Sequence, residues 1–162
     1  MPKMKIEYLA DYPLHLPTIA VWQQAQFGYL TPTATLEDRA ERLRRSLQKE
    51  ALPMAFIALS ASGTLLGSAG ILPATITHKH LTPWLSSVYV PEDFRGRGIA
   101  SALSQRAIAE AARLGFDRLY LFTPHNETLY TRIGFRTFER IEYNGLPLTL
   151  MERLTAVEAS VS

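Results

Sequence analysis

The order of apolar and polar positions along the chain predicts alternating strands and helices. Short apolar runs, rich in β-branched and aromatic residues and bounded by Gly, Pro or Asn, indicate strands. These runs comprise residues 5–9, 54–59, 65–72, 84–90, 116–122, 135–141 and 147–154. Apolar residues spaced three or four apart predict helices over about 13–27, 35–47, 99–114 and 127–133. Turn signals at 60–63 and at Asn144-Gly145 predict two antiparallel hairpins.

Two of the predicted helices carry a clear apolar stripe. In the second helix, Thr35 and Asp38 form an acidic variant of the capping box. Its expected buried stripe consists of Leu36, Ala40, Leu43 and Leu47. The third helix has a longer stripe, which consists of Ile99, Leu103, Ala107, Ile108, Ala111 and Leu114. Each of these helices is therefore expected to pack one face against a core.

The loop before the third helix is predicted to bind an anion. It reads Phe94-Arg-Gly-Arg-Gly-Ile-Ala100, with two glycines within three residues. Glycine adopts backbone conformations closed to other residues, so several N–H groups can point into one concavity at the helix N-terminus. The helix dipole and the charges of Arg95 and Arg97 favour a phosphate or pyrophosphate there. A purely structural Gly-rich turn is the alternative.

Spacing separates the phosphate-binding patterns that such a loop can follow. No lysine follows either glycine, which excludes a nucleoside-triphosphate loop. Gly96-x-Gly98-x-x-Ser101 lacks the third glycine of the dinucleotide fingerprint, and no acidic residue ends the next strand. Residues 95–100 match every fixed position of the pattern (Q or R)-x-x-G-x-(G or A). Together with Val-x-Val-Pro before the loop, and Leu129-Tyr130 and Gly134-Phe135 after the next strand, this pattern resembles the GCN5-related N-acetyltransferase (GNAT) superfamily.

The resemblance covers about residues 4–154 and implies a fold and an activity. The implied fold is the α/β GNAT fold, in which helices flank a mixed, mostly antiparallel central sheet. One domain would span residues 1–162, with a frayed tail from 155 to 162. The implied activity is N-acetylation, in which the acetyl group of acetyl-CoA passes to a primary amine by direct attack in a ternary complex. A small molecule, a peptide or a protein would supply the amine.

The resemblance also implies roles for individual residues. The end of the central strand, Val88, Tyr89 and Val90, would grip the pantetheine arm through its backbone. The pyrophosphate cradle would consist of Arg95, Gly96, Arg97, Gly98, Ile99 and Ala100. Tyr130 stands where the family places the tyrosine that protonates the coenzyme sulfur. Thr123 lies seven residues before Tyr130, where the family usually has asparagine, whereas Asn126 lies four before it, and either is a candidate cofactor contact.

The general base and the acceptor stay open. Many relatives have a glutamate in the central strand, but this strand offers only Ser86, Ser87 and Tyr89. Alternative bases are His78, His80, Glu142 and Tyr143, or an amine of low pKa that needs none. No third ligand lies near the two histidines, so no metal is expected. Trp22, Tyr29 and Trp84 are candidates for an acceptor pocket or for the core.

A second class of function also fits the sequence. A non-catalytic acyl-CoA-binding module would keep the Arg-Gly loop without needing Tyr130, and a transferase could use an acyl group longer than acetyl. The absence of cysteine excludes disulfides, a thiol nucleophile and thiolate metal ligands. A net charge of +2 does not indicate nucleic-acid binding. Without an apolar run of membrane or signal length, we expect a soluble cytoplasmic protein, as a monomer or homodimer, with no membrane partner.

Overall fold

The structure is a computed structural model that describes residues 4–75 and 77–156. The strands within these residues are β1 (Lys5–Tyr8), β2 (Met54–Leu59), β3 (Leu65–Leu72), β4 (Trp84–Tyr89), β5 (Arg118–Thr123), β6 (Arg136–Tyr143) and β7 (Leu146–Leu154). The helices are α1 (Leu16–Phe27), α2 (Leu36–Arg45), α3 (Ile99–Arg113) and α4 (Glu127–Arg132). Short 3-10 turns occupy Leu9–Asp11, Pro13–His15, Gly28–Leu30 and Glu92–Phe94. Each predicted strand and helix is present, with ends that differ by a few residues.

The strands form one sheet in the order β1-β2-β3-β4-β5-β7-β6. Neighbouring strands are antiparallel except for β4 and β5, which are parallel. This confirms the predicted mixed, mostly antiparallel sheet. β4 and β5 are paired in register only at Trp84 and Tyr120, so the two strands diverge beyond that point. The divergence leaves the carboxyl end of β4 without a parallel partner on that side.

Helices cover both faces of the sheet at β2, which is buried throughout. Phe56 belongs to the core that the sheet forms with α3, together with Leu103. Ile57, on the opposite face, belongs to the core formed with α1 and α2, together with Ile19. Burial on both faces explains why residues 54–59 form a continuous apolar run instead of an alternating one.

The first helix begins later than the sequence predicts. We expected it to open at Pro13, but the chain first makes two 3-10 turns and becomes α-helical at Leu16. Pro17 has no N–H to donate to the carbonyl oxygen of Pro13, so the i→i−4 ladder cannot extend across it. Pro17 instead occupies the first turn of α1, where a missing donor is tolerated.

The second helix has the predicted capping box and most of the predicted buried stripe. The N–H of Asp38 donates to Thr35 Oγ1 at 3.0 Å, and the N–H of Thr35 donates to Asp38 Oδ2 at 2.9 Å. Leu36 is 46% exposed, so its assignment to the buried stripe is wrong. Leu36 lies at the first position of the helix. The predicted Ala40 and Leu43 are buried and Leu47 packs against the same core, and Arg39 joins this inward face although the sequence did not predict it.

Gly67 lies at a close approach of the backbone in β3. A Cβ at Gly67 would lie 2.8 Å from the carbonyl oxygen of Tyr89 and 3.2 Å from side-chain atoms of Ile99 and Leu103. The register shifts in the pairing of β3 with both of its neighbours. Gly67 therefore lets β3, β4 and α3 approach closely at the point where β4 ends.

The predicted frayed tail falls largely outside the described residues. Thr155, its first residue, is only 8% exposed. Its N–H donates to the carbonyl oxygen of Asp117 at 2.9 Å, and its hydroxyl donates to that of Phe116 at 2.6 Å. Thr155 is thus anchored, in contrast to the prediction, and residues 157–162 lie outside the described part. Among the described helices, none has the length and apolar character needed to cross a membrane.

Candidate active site

Two neighbouring cavities share lining residues near the ends of β4 and β5. The loop cavity, about 620 Å³, is bordered by residues 88–90, the Arg-Gly loop, the start of α3 and α4. The α2 cavity, about 600 Å³, is bordered by α1, α2 and parts of β3, β4 and β5. Residues that line both cavities are Gln26, Val88, His125, Asn126 and Tyr130. A molecule in one cavity can therefore contact a molecule in the other at these five residues.

The Arg-Gly loop adopts a geometry suited to an anion. Gly96 and Gly98 both have φ of 79°, in the left-handed region that favours glycine. Gly98 is the N-cap of α3 and offers no side-chain cap. The first helical bond joins the N–H of Ala102 to the carbonyl oxygen of Gly98, so the N–H groups of residues 99–101 have no acceptor within the helix. These donors and the helix dipole favour a negatively charged group at this end of the loop cavity.

Two arginines place positive charge beside the loop, and only Arg95 of the two is predicted from the sequence as a cofactor contact. Arg95 and Arg132 line the loop cavity. Arg95 is oriented by its Nε, which donates to the carbonyl oxygen of Val90 at 2.8 Å. Its guanidinium carbon lies 5.9 Å from the ring centroid of Tyr89. No carboxylate lines this cavity within the described residues, so the two guanidinium charges are available to an anionic ligand.

The structure brings most of the predicted cofactor residues to the loop cavity. Nine of the eleven line it, namely Val88, Tyr89, Val90, Arg95, Gly96, Gly98, Ile99, Ala100 and Asn126. Arg97 is not brought to the cavity lining, because its guanidinium lies against the ring of Phe94, 5.7 Å from the centroid. Thr123 lines only the α2 cavity, and its Oγ1 accepts the N–H of Asn126 at 2.9 Å. Of the two polar candidates before Tyr130, Asn126 is thus the one beside the loop cavity.

Tyr130 lies at the junction of the two cavities. Its ring is 7% exposed and packs edge-on against Phe135, with 5.9 Å between the centroids. Phe135 also donates its N–H to the carbonyl oxygen of Tyr130 at 3.0 Å, which ties the end of α4 to the start of β6. Burial raises the pKa of Tyr130 to about 12. The phenol therefore carries its proton throughout the neutral range.

The predicted base candidates lie away from both cavities. His78 Nε2 lies 2.9 Å from Glu139 Oε1, and the His80 ring lies beside that of His78. Neither histidine lines a cavity, and neither do Glu142 and Tyr143. The described residues contain no group of three or more His, Cys, Asp or Glu side chains arranged to hold a metal ion.

The three aromatic candidates for the acceptor pocket separate into three roles. Tyr29 lines the α2 cavity and is 54% exposed. Trp22 packs against the ring of Tyr89, with 5.2 Å between the centroids. Trp84 is 1% exposed in a core with Leu148, and its Nε1 donates to a backbone carbonyl oxygen, so it is a core residue and not part of a pocket. Because neighbouring strands and core side chains surround Trp84, its ring cannot reach a surface site.

Several lining residues could not be identified from the sequence. Gln26 and His125 line both cavities, and Ser101 and Arg132 line the loop cavity. Ser101 lies in the first turn of α3 beside the free N–H groups, so its position follows from the loop motif. Gln26 and His125 carry no such signal, because they reach the site only through the packing of α1 and of the loop after β5.

Comparisons with known proteins agree with this geometry. The model of the Acetyltransferase (GNAT) family matches residues 16–135. The Escherichia coli K12 protein named "Uncharacterized N-acetyltransferase YjgM" is 31% identical over 93 residues, which is 55% of this chain and 53% of that protein. The chain is thus matched to about half the length of this curated relative.

Solved structures share the fold over nearly the whole chain. An N-acetyltransferase from Staphylococcus aureus Mu50 has a TM-score of 0.72 at 22% identity and covers 95% of this chain and 99% of its own. The structure of yncA from Salmonella typhimurium, determined with its cofactor acetyl-CoA, has a TM-score of 0.71 at 18% identity and covers 98% of both chains. The family model spans well over half of the sequence, and the chain therefore belongs to the GNAT acetyltransferase family.

Proposed function

We propose that the protein is an acetyl-CoA-dependent N-acetyltransferase in which Tyr130 is the catalytic acid. The observation that carries the proposal is the position of Tyr130 between two cavities. One cavity has the donors and charges for a pyrophosphate, and the other has a volume typical of a small-molecule site. A group transferred between two bound molecules must cross this junction.

The residues around the loop cavity fit acetyl-CoA. The N–H groups of residues 99–101 and the guanidinium groups of Arg95 and Arg132 would bind the pyrophosphate. The space next to Gly98 is open, since a Cβ there would meet no heavy atom within 4 Å. The backbone of Val88 and the N–H of Val90, beyond the point where β4 diverges from β5, would bind the amides of the pantetheine arm as an added strand would.

Acetyl-CoA supplies a thioester whose acetyl carbon is attacked by the amine. Tyr130 would donate its phenolic proton to the leaving sulfur, which otherwise departs with a negative charge. The phenol is protonated at neutral pH and therefore has a proton to donate. The phenolate left after the transfer must recover a proton from solvent before the next turnover.

The attacking amine must also lose a proton, and fewer side chains in the two cavities could accept it. Among the described residues, no Asp or Glu lines either cavity. His125 is the one histidine that lines them within the described part of the chain, and it borders both. We propose that the proton leaves to His125 or to solvent. The test is His125→Gln, which should lower turnover near neutral pH if His125 accepts the proton and leave it unchanged if water does.

Ligand binding provides the first test of the proposal. We expect CoA and acetyl-CoA to raise the melting temperature, because a ligand that binds only the folded state stabilises it by mass action. NAD and ATP should have no such effect, since the loop fails both of their patterns. Stabilisation by NAD or ATP, with none by CoA, would contradict the cofactor assignment.

Removing the hydroxyl group of Tyr130 tests whether the protein is an enzyme or a non-catalytic acyl-CoA-binding module. Tyr130→Phe keeps the packing on Phe135 and should leave stability near neutral pH and CoA affinity nearly unchanged. Turnover, measured as release of free thiol, should fall at least about tenfold, because general acid catalysis contributes roughly 10²–10⁴-fold. Tyr120→Phe is the matched control, since Tyr120 is a half-buried core tyrosine that lines neither cavity. Unchanged turnover in Tyr130→Phe would remove Tyr130 from catalysis.

A further inference from the structure

The lining of the α2 cavity contains positive charge and, within the described residues, no negative charge. Arg39, Arg42 and Lys79 line it, whereas no Asp or Glu does. Ten ion pairs join side chains elsewhere in the described structure, and none of them includes one of these three cations. Arg39 is buried, whereas Arg42 and Lys79 are exposed, and the three positive charges together favour a negatively charged occupant of the cavity.

Arg39 is the strongest part of this observation because it is buried. Arg39 is only 6% exposed to solvent. Nε donates to Gln24 Oε1 at 2.5 Å and Nη2 donates to Thr31 Oγ1 at 2.6 Å, and both acceptors are neutral. Burial, followed by the nearby charge of Arg42, holds the pKa of Arg39 below its ordinary value, but a guanidinium remains protonated in proteins. Arginine is almost never buried without a partner of opposite charge.

A structural role for Arg39 does not account for the charge. The two hydrogen bonds link α2 to α1 and to the turn that follows α1, and a neutral amide side chain can make links of this kind without the cost of burying a charge.

The phosphates of CoA do not account for the buried charge of Arg39 either. Arg39, Arg42 and Lys79 line only the α2 cavity and none of them borders the loop cavity. A separate anionic molecule in the α2 cavity would supply the missing counterion.

The positions of the charges define the two ends of that molecule. Arg39 and Arg42 belong to α2, whereas Tyr130 and Val88 lie at the junction with the loop cavity. Apolar side chains, among them Leu85, complete the lining. An occupant that reacts at the junction therefore presents its amine towards Tyr130, its anionic group towards α2 and its apolar part to the wall between them.

We propose that the acceptor is a small amine that carries its own oxyanion, a carboxylate or a phosphonate, bound by Arg39 and Arg42. This inference rests on the proposed N-acetyltransferase function and adds the class of its acceptor. Arginine presents a planar fork of donors that matches the geometry of both oxyanions. Polyamines and other purely cationic amines should be excluded, because the same three positive charges repel them.

A matched series of amines tests the acceptor class. The wild-type protein with acetyl-CoA is assayed by thiol release against L-phenylalanine, L-phenylalaninamide and 2-phenylethylamine, and against similar triplets from smaller amino acids. We expect kcat/KM to be at least about tenfold higher for the carboxylates, the difference that one charged hydrogen bond contributes. An aminoalkylphosphonate of matched size distinguishes the two oxyanions. Spermidine serves as the cationic acceptor.

Variants of α2 test the residues. Arg42→Ala removes an exposed cation of the cavity lining and should raise KM for the carboxylate acceptor at least about tenfold, while the amide is unaffected. Arg45→Ala is the matched control, because Arg45 is an exposed arginine of the same helix that lines neither cavity and forms no ion pair with another described residue. Arg39→Gln should have the larger effect. Should that variant fail to fold, Arg42→Ala and Lys79→Ala decide the question.

The possible outcomes separate this inference from the proposed function. Efficient acetylation of spermidine or of the amides, with none of the carboxylates or phosphonates, overturns the inference and leaves an N-acetyltransferase. If no amine in the panel reacts, the melting temperature of the CoA-bound protein is compared with and without each carboxylate and its amide. Equal shifts for both, or equal kcat/KM in Arg42→Ala and Arg45→Ala, also overturn it. Failure to bind acetyl-CoA at all contradicts the proposed function instead.

Discussion

Replacing Gly98 with alanine tests whether the Arg-Gly loop binds the cofactor. Gly98 has φ of 79°, and an added Cβ would have no heavy atom within 4 Å. The substitution therefore causes no clash inside the protein and costs only the strain of a left-handed backbone, about 1–2 kcal/mol. In a chain of this length, 1 kcal/mol corresponds to roughly 2–4 °C in melting temperature. We expect the melting temperature of Gly98→Ala to fall by about 2–8 °C.

The same methyl group should have a much larger effect on CoA binding. It would enter the open space beside the free N–H groups of residues 99–101, where the pyrophosphate is proposed to lie. Loss of one hydrogen bond to a charged group costs roughly 1.5–3 kcal/mol, so CoA affinity should fall by about tenfold or more. Isothermal titration calorimetry with CoA, at a temperature well below the transition, measures this change.

Gly115 provides a control with the same strain in another place. It has φ of 92° and open space around its Cβ position, but it follows the end of α3 and lines neither cavity. Gly115→Ala should lower the melting temperature by a similar amount and leave CoA affinity unchanged. If Gly98→Ala binds CoA as tightly as Gly115→Ala does, the loop is a structural turn and the cofactor assignment fails.

Three further changes test the fold and the junction. Burial raises the pKa of Tyr130 from 10.0 to about 12 in the folded state. The stability that the protonated phenol contributes to the folded protein is therefore fully present below about pH 10 and is lost as the pH rises towards 12. Tyr130→Phe has no group to ionise and should lose about 3 kcal/mol less stability than the wild type over that range in alkaline urea unfolding. Gly67→Ala should destabilise the protein by about 1–3 kcal/mol by overpacking against the carbonyl group of Tyr89, and should also weaken CoA binding by moving the end of β4. Thr35→Ala should cost about 1 kcal/mol in thermal unfolding by removing the cap that accepts the N–H of Asp38, with CoA affinity unchanged.

Local signals were sufficient to predict the elements of the fold. The hairpin turn at Asn144-Gly145 and the capping box of Thr35 each depend on interactions between residues close in sequence, and the apolar run of β2 is itself a local pattern. Asn144 and Gly145 both have positive φ, as a two-residue hairpin turn of this kind requires. The Arg-Gly loop was predictable for the same reason, because its geometry depends on two glycines and the start of one helix.

Features that depend on packing between distant segments could not be predicted. Leu36 has the spacing of a buried residue, but α2 turns Arg39 inward instead, and only the position of α1 and the turn after it makes this possible. Thr123 occupies the motif position of a cofactor contact, yet its hydroxyl is used by the backbone of the loop that follows β5. The α2 cavity is formed by segments that are far apart in the chain, so no short sequence pattern predicts it.

The charge of the α2 cavity also bears on how an attacking amine loses its proton. Desolvation and nearby positive charge both lower the pKa of an ammonium group, so the neutral form is favoured. A carboxylate near the amine would act in the opposite direction, and within the described residues none lines either cavity. One oxyanion on the acceptor would compensate only part of the charge of Arg39, Arg42 and Lys79. If the cavity binds an anionic acceptor as proposed, its positive charge would also favour the neutral form of the amine, and a glutamate in β4 would not be required.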